Sequence, residues 1–119
     1  MMLEWNGYRQ QLLKTISAIG RLSPSITRGY RELSEAGSKT SHLDAKTREL
    51  VALAVGVTRQ CDGCITTHVH AALKHGASAE EIAEALGVAI AVNAGATLVY
   101  SARVMDAVAA YSSSAGRAV

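Results

Sequence analysis

The sequence predicts an all-α fold, a bundle of about five to six helices. Three observations carry the prediction. Apolar side chains recur at helical spacing along most of the chain. There are no phenylalanines and only one proline among 119 residues. No Asn-Gly or Asp-Gly pair sits between alternating apolar and polar runs, as a β-hairpin would require.

A first helix is expected from about Trp5 to Ile19, with Leu12, Leu13, Ile16 and Ile19 at helical spacing and Gly20 as its break. Ser23 reads as the cap of a second, Pro24 suits its first helical position, and Gly37 after Leu33 reads as its stop. The polar run SKTSH, residues 38–42, then forms a loop. Asp44 is placed to cap a third helix, which carries Leu50, Leu53, Ala54 and Val57 and ends near Thr58. A fourth starts at Cys61 or Asp62 and ends at Gly76, with His75 in its last turn. Ser78 with Glu81 three residues on is a capping box for a fifth, long helix with room for a bend near Gly95. After Tyr111 the sequence SSSAGRAV, residues 112–119, reads as a flexible, frayed tail.

Residues 1–119 fit a single domain, with one core and no separate cofactor-binding lobe. The formal net charge is +2 and the basic residues are spread from Arg9 to Arg117 without a run, so nothing asks for nucleic acid or an anionic membrane. The start MMLEWNGYRQQ lacks a basic segment followed by an apolar core, and the expectation is a reducing cytoplasm, where a static disulfide is rare. Between Glu84 and Arg103 lie 18 uncharged residues, ALGVAIAVNAGATLVYSA. That length only just reaches a membrane span, and Ala, Gly, Ser, Thr and Asn93 make up most of it. Strongly apolar side chains are confined to Leu86, Val88, Ile90, Val92, Leu98 and Val99. A helix buried on most sides is expected instead, with small residues that admit neighbouring helices or a second subunit, hence a homo-oligomer and no membrane.

The stretch CDGCITTH, residues 61–68, holds both cysteines of the chain. A helix starting there brings unpaired N–H groups and the positive end of its dipole to the thiols, which favours thiolate. At about 100° per residue, Cys64 and His68 share one face a turn apart, so His68 is placed to take the Cys64 proton. Cys61 lies one turn to the other side, within disulfide reach of Cys64 but about 10 Å along the axis from His68. Cys64 is thereby the His-assisted attacker, and Cys61 the partner that closes the disulfide. Structural zinc is a rival reading, but His68 and His70 are about 200° apart on a helix and no second Cys or His pair completes the set. A second rival, two inert core cysteines, leaves Asp62, Gly63 and His68 unexplained. His42, His70 and His75 read as surface or structural residues, and Trp5 and Tyr100 as core packing ahead of the alternative, lining a substrate pocket.

Glu49, eleven residues, Cys61, two residues, Cys64, three residues and His68 give Glu-x11-Cys-x2-Cys-x3-His. With LDAKTRELVALAV before it and HAALKHGASAEEIAEAL after it, over residues 43 to 110, this resembles the alkylhydroperoxidase D (AhpD)-like branch of the carboxymuconolactone decarboxylase superfamily. The resemblance implies an all-α fold assembled as trimers, or as hexamers built from them, with thiol-dependent peroxidase or disulfide reductase activity. It implies that Cys64 attacks peroxide, that Cys61 resolves the product to a disulfide, and that His68 and Glu49 relay protons, partly through water. An external dithiol, lipoyl-type or thioredoxin-like, is the implied reductant, and no flavin, haem or metal is required. On TRELVALAV alone Glu49 would read as the solvated side of an amphipathic helix. The spacing makes it instead a candidate to orient His68 and hold its charge.

One departure stands out. Better-studied members of this branch often carry a histidine between the cysteines, where this chain has Asp62 and Gly63. That relay contribution is then missing, and Asp62 disfavours thiolate by like charge, which points to modest peroxidase turnover. Superfamily members that decarboxylate a lactone generally do without the thiol pair, which weighs against decarboxylation. A redox sensor with a reversible disulfide and negligible turnover stands beside the enzyme as the other reading.

Overall fold

The computed structural model describes residues 1–115 and places them in five α-helices, with no strand among the described residues. These are α1 (Trp5–Leu22), α2 (Pro24–Thr40), α3 (Ala45–Thr58), α4 (Asp62–Lys74) and α5 (Ala79–Ala115).

Helix starts follow local chemistry. Asp44 sits in extended backbone, and its carboxylate accepts a hydrogen bond from the Thr47 N–H at 2.7 Å, satisfying one of the donors that a helix start leaves open. At α5 the capping box is reciprocal: the Glu81 N–H donates to Ser78 Oγ at 3.1 Å, and the Ser78 N–H donates to the Glu81 carboxylate at 2.9 Å. Glu81 also pairs with Lys46 Nζ at 2.8 Å, which ties the start of α5 to the start of α3. Pro24 opens α2 as expected, whereas Ser23 occupies the cap position without a side-chain cap bond.

Two expected helix stops are not stops. Through Gly20, α1 runs on to Leu22; a Cβ on Gly20 would meet Thr27 Oγ1 at 2.8 Å, so the bare backbone is what lets α2 fold back closely. Gly37 likewise lies inside α2, beside the Arg48 side chain. Residues Ser38 to Thr40, expected in a loop, extend that helix until Ser41 turns left-handed at φ 55°. The fourth helix stops at Lys74, with His75 as its C-cap and Gly76 turning the chain at φ 85°. Residues 112–115, expected to fray, continue α5, which runs helical through Gly95; residues 116–119 of the expected tail lie outside the described residues.

The centre of the molecule is an antiparallel hairpin of α3 and α4, with α5 along α3, and with α1 paired to α2 and touching α4. Its core is small: Leu53 (3% exposed), Ala72 and Ala77, with Leu50, Val69 and Ile82 packed around them. The chain extends over 62 × 39 × 37 Å with a radius of gyration of 20.8 Å, where a compact chain of this length would have about 13–14 Å. Much of that extension is α5, which at about 1.5 Å per residue is some 55 Å long.

The expected burial of residues 85–102 is not found within one chain. Ala89 is buried, but Val88, Ile90, Val92, Leu98 and Val99 are 58–75% exposed. Tyr100 is exposed too, with the Arg103 guanidinium 4.9 Å from its ring centre, so it is not core packing. By length and composition alone, α5 has what a membrane span needs.

Candidate functional site

The site is built on the turn between α3 and α4. Three backbone bonds close α3: Arg59 N–H to the Val55 carbonyl at 3.1 Å, Gln60 N–H to Val57 at 3.1 Å and Cys61 N–H to Gly56 at 3.1 Å. The last two form a Schellman motif, which needs a left-handed residue just past the helix end. Gln60 takes that conformation at φ 52°, where glycine is the usual choice. The turn therefore hands the chain directly to Cys61, which is at once the last partner of α3 and the N-cap of α4.

Cys61 lies in extended backbone (φ −103°, ψ 97°), and its sulfur accepts a hydrogen bond from the Cys64 N–H at 3.1 Å. Cys61 and Cys64 are disulfide-bonded, with their Cα atoms 5.2 Å apart. On reduction, the same N–H and the positive helix end stabilise negative charge on Cys61 sulfur. Asp62, exposed in the first turn of α4, suits the helix dipole while opposing that charge.

Glu49 lies on α3 facing α4, and its Oε2 is 2.7 Å from His68 Nδ1. An ionised carboxylate only accepts, so the proton of this bond belongs to Nδ1, and Nε2 is left as the nitrogen able to take a proton. The two side chains keep 24% and 28% of their surface exposed, respectively. The pair is therefore held in place yet open to solvent on one side. His68 is one helical turn beyond Cys64, so the four residues singled out by spacing form two bonded pairs on one hairpin: Cys61 with Cys64, and Glu49 with His68.

The other candidates scatter. His70 and Trp5 line a groove of about 390 Å³ between α1 and α4, with Arg9, Ile65, Thr66, Val69 and Leu73. His42 and His75 are exposed, away from the thiols in the α2–α3 loop and at the α4 C-cap. Among the described residues, no three His, Cys, Asp or Glu side chains converge as a cation would need. Spacing alone missed three contributors. Gln60 holds the left-handed turn, against residue preference. Gly63 admits Leu12 of α1, since a Cβ there would meet Leu12 Cδ2 at 2.9 Å. Asn93 on α5 donates to Thr58 Oγ1 at 2.9 Å, clamping the end of α3 just ahead of the turn. A glycine inside the motif and a lone amide in an apolar helix were the visible signals.

Residues 24–107 match the carboxymuconolactone decarboxylase family. An uncharacterised protein of Haemophilus influenzae is 43% identical over 107 residues, covering 90% of this chain and 95% of that protein. A protein of the cox locus of Paracoccus denitrificans, also uncharacterised, is 36% identical over 91 residues, 74% of this chain and 82% of the relative. The fold matches a crystal structure of a carboxymuconolactone decarboxylase family protein from Legionella pneumophila, with a TM-score of 0.71 and 32% identity over 87% of this chain and 93% of that one.

Proposed function

The chain belongs to the carboxymuconolactone decarboxylase family, and from that premise we propose that it is a thiol-dependent peroxidase of the AhpD type. The observation that carries the reading is the Glu49–His68 bond placed one turn beyond a cysteine already joined to its partner. A carboxylate-held imidazole next to a thiol at a helix start is an arrangement for moving a proton off sulfur.

His68 takes the Cys64 proton at Nε2, with Glu49 holding Nδ1 and the resulting charge. The Cys64 thiolate attacks one peroxide oxygen, the O–O bond breaks, and the alkoxide leaves as alcohol with the proton from His68. Cys64 becomes a sulfenic acid. Cys61 sulfur then displaces its hydroxyl as water, giving the Cys61–Cys64 disulfide. An external dithiol, lipoyl-type or thioredoxin-like, returns two electrons in the cytoplasm and is itself oxidised to a disulfide. The thiol pair weighs against decarboxylation, since superfamily members that decarboxylate a lactone generally do without it.

Asp62 and Gly63 between the cysteines support a second reading, since charge repulsion and the missing relay group slow peroxide attack. In that case the pair serves as a disulfide reductase or redox sensor. The exposed apolar surface of α5 supports assembly of copies of this chain, in the trimers or hexamers that the family resemblance implies; the reading assigns no part to a membrane or to nucleic acid.

The test is peroxide-dependent turnover with a dihydrolipoyl reductant for wild type, Cys64→Ser and Cys61→Ser. Loss in Cys64→Ser, with Cys61→Ser arrested as a sulfenic acid, is expected. Wild-type turnover in Cys64→Ser would end the reading. Absent turnover with a reversible disulfide would favour the reductase or sensor.

A further inference from the structure

We infer that Gly56 is a positioning residue for the thiol pair, its missing side chain setting how closely α4 docks on α3 and so whether His68, on α4 with Cys64, stays within bonding reach of Glu49 on α3. The inference deepens the thiol chemistry proposed above and rests on it.

Gly56 is buried, inside α3, seven residues after Glu49 and three after Leu53. Seven residues are close to two helical turns, so Glu49, Leu53 and Gly56 form one stripe facing α4. The stripe meets His68 at its first member and Cys64 at its last. A Cβ built on Gly56 would lie 2.9 Å from Cys64 Cβ. Carbon atoms in contact sit about 3.5–4.0 Å apart, so an alanine there must push α4 away by about 0.6 Å or more. Cys64 Cβ is fixed to the helix backbone and cannot swing aside. The Gly56 carbonyl also accepts the Cys61 N–H at 3.1 Å, so this one residue touches both halves of the pair.

Other glycines sharpen the contrast. Gly63 is equally tight, but against the end of the Leu12 side chain, which can rotate. Gly29 and Gly87, also within helices, have nothing within 4 Å of a built Cβ. Since alanine is favoured over glycine in a helix interior, Gly29 on α2 tolerates it, and only at Gly56 does the built Cβ meet a cysteine of the pair. Displacements of this size matter because proton transfer and attack require reacting atoms in near-contact geometry.

The experiment titrates the reactivity of Cys64 alone. In the Cys61→Ser background, the rate of alkylation by iodoacetamide is followed against pH for Gly56, Gly56→Ala and Gly29→Ala. Gly56→Ala is expected to slow alkylation at neutral pH about tenfold and to move the midpoint of the pH profile upward, while Gly29→Ala changes neither. An unchanged profile in folded Gly56→Ala overturns the inference. Alkylation does not depend on peroxide, so a shifted profile in a protein without peroxide turnover would sink the peroxidase reading and keep this one. If Gly56→Ala does not fold, Gly56→Ala with Cys64→Gly removes the opposing Cβ. Recovery of the fold upholds the contact, and failure to recover overturns it.

Discussion

Replacing Glu49 by glutamine tests the proton couple with the least disturbance of shape. Glutamine keeps an oxygen that can accept from His68 Nδ1, so the 2.7 Å contact survives as a neutral hydrogen bond. What is lost is charge. A hydrogen bond to an ionised group contributes about 1.5–3 kcal/mol and a neutral one about 0.5–1.5, a difference of about 1–1.5 kcal/mol. About a quarter of each side chain remains in water, and screening takes the figure towards about 1 kcal/mol. Expressed in the step that charges His68, this slows peroxide consumption about fivefold. Glu49→Ala also frees the imidazole to rotate, and the loss grows to about 10–100-fold. The assay is single-turnover reduction of an alkyl hydroperoxide by pre-reduced protein, with circular dichroism confirming an intact fold. Wild-type rates in both variants would refute the couple as a proton relay and leave Glu49 a surface residue.

Three further outcomes are expected. Leu53→Ala, at the centre of a core with few large side chains, should cost about 2–5 kcal/mol in urea unfolding; a loss below 1 kcal/mol would mean the hairpin is held elsewhere. The Thr47 hydrogen bonds hold the Asp44 carboxyl below its ordinary 3.8, and the Lys46 bond holds Glu81 below 4.5. Groups depressed by folding stabilise above their unfolded values, so the urea midpoint should fall as pH drops through this range and below, and Asp44→Ala should flatten part of that limb. Leu98→Asp, on the exposed face of α5, should lower the assembly state seen in sedimentation while leaving helicity intact; membrane partitioning of the wild type without self-association would contradict a subunit interface.

Several boundaries were legible because their cause is local. Asp44, Pro24 and the Ser78–Glu81 box act within three residues of themselves, so residue type and spacing place them. Gly20 and Gly37 were misread for the opposite reason: what matters at each is a side chain from another helix, Thr27 or Arg48, which no local pattern announces. Gln60 adopts a conformation its side chain disfavours, so preference alone points away from the turn it makes. The Glu49–His68 pair was readable from its spacing to the cysteines within a resembling motif, whereas helical periodicity by itself put Glu49 in water. The α5 surface is exposed within one chain, and an apolar sequence that admits either neighbouring helices or a second subunit does not say which of them covers it.

The α3–α4 hairpin has a consequence for the order in which the molecule comes together. Glu49 and His68 are 19 residues apart and the cysteines only three. Closing loops of this size takes well under a microsecond and carries a small entropic penalty, while subunit docking takes milliseconds or longer and depends on concentration. The turn that carries the cysteine pair is therefore expected to form in the newly made single chain, ahead of the subunit docking proposed for α5. If copies assemble as proposed, dilution should dissolve the assembly before it erases the site, and thiol reactivity should outlast quaternary structure.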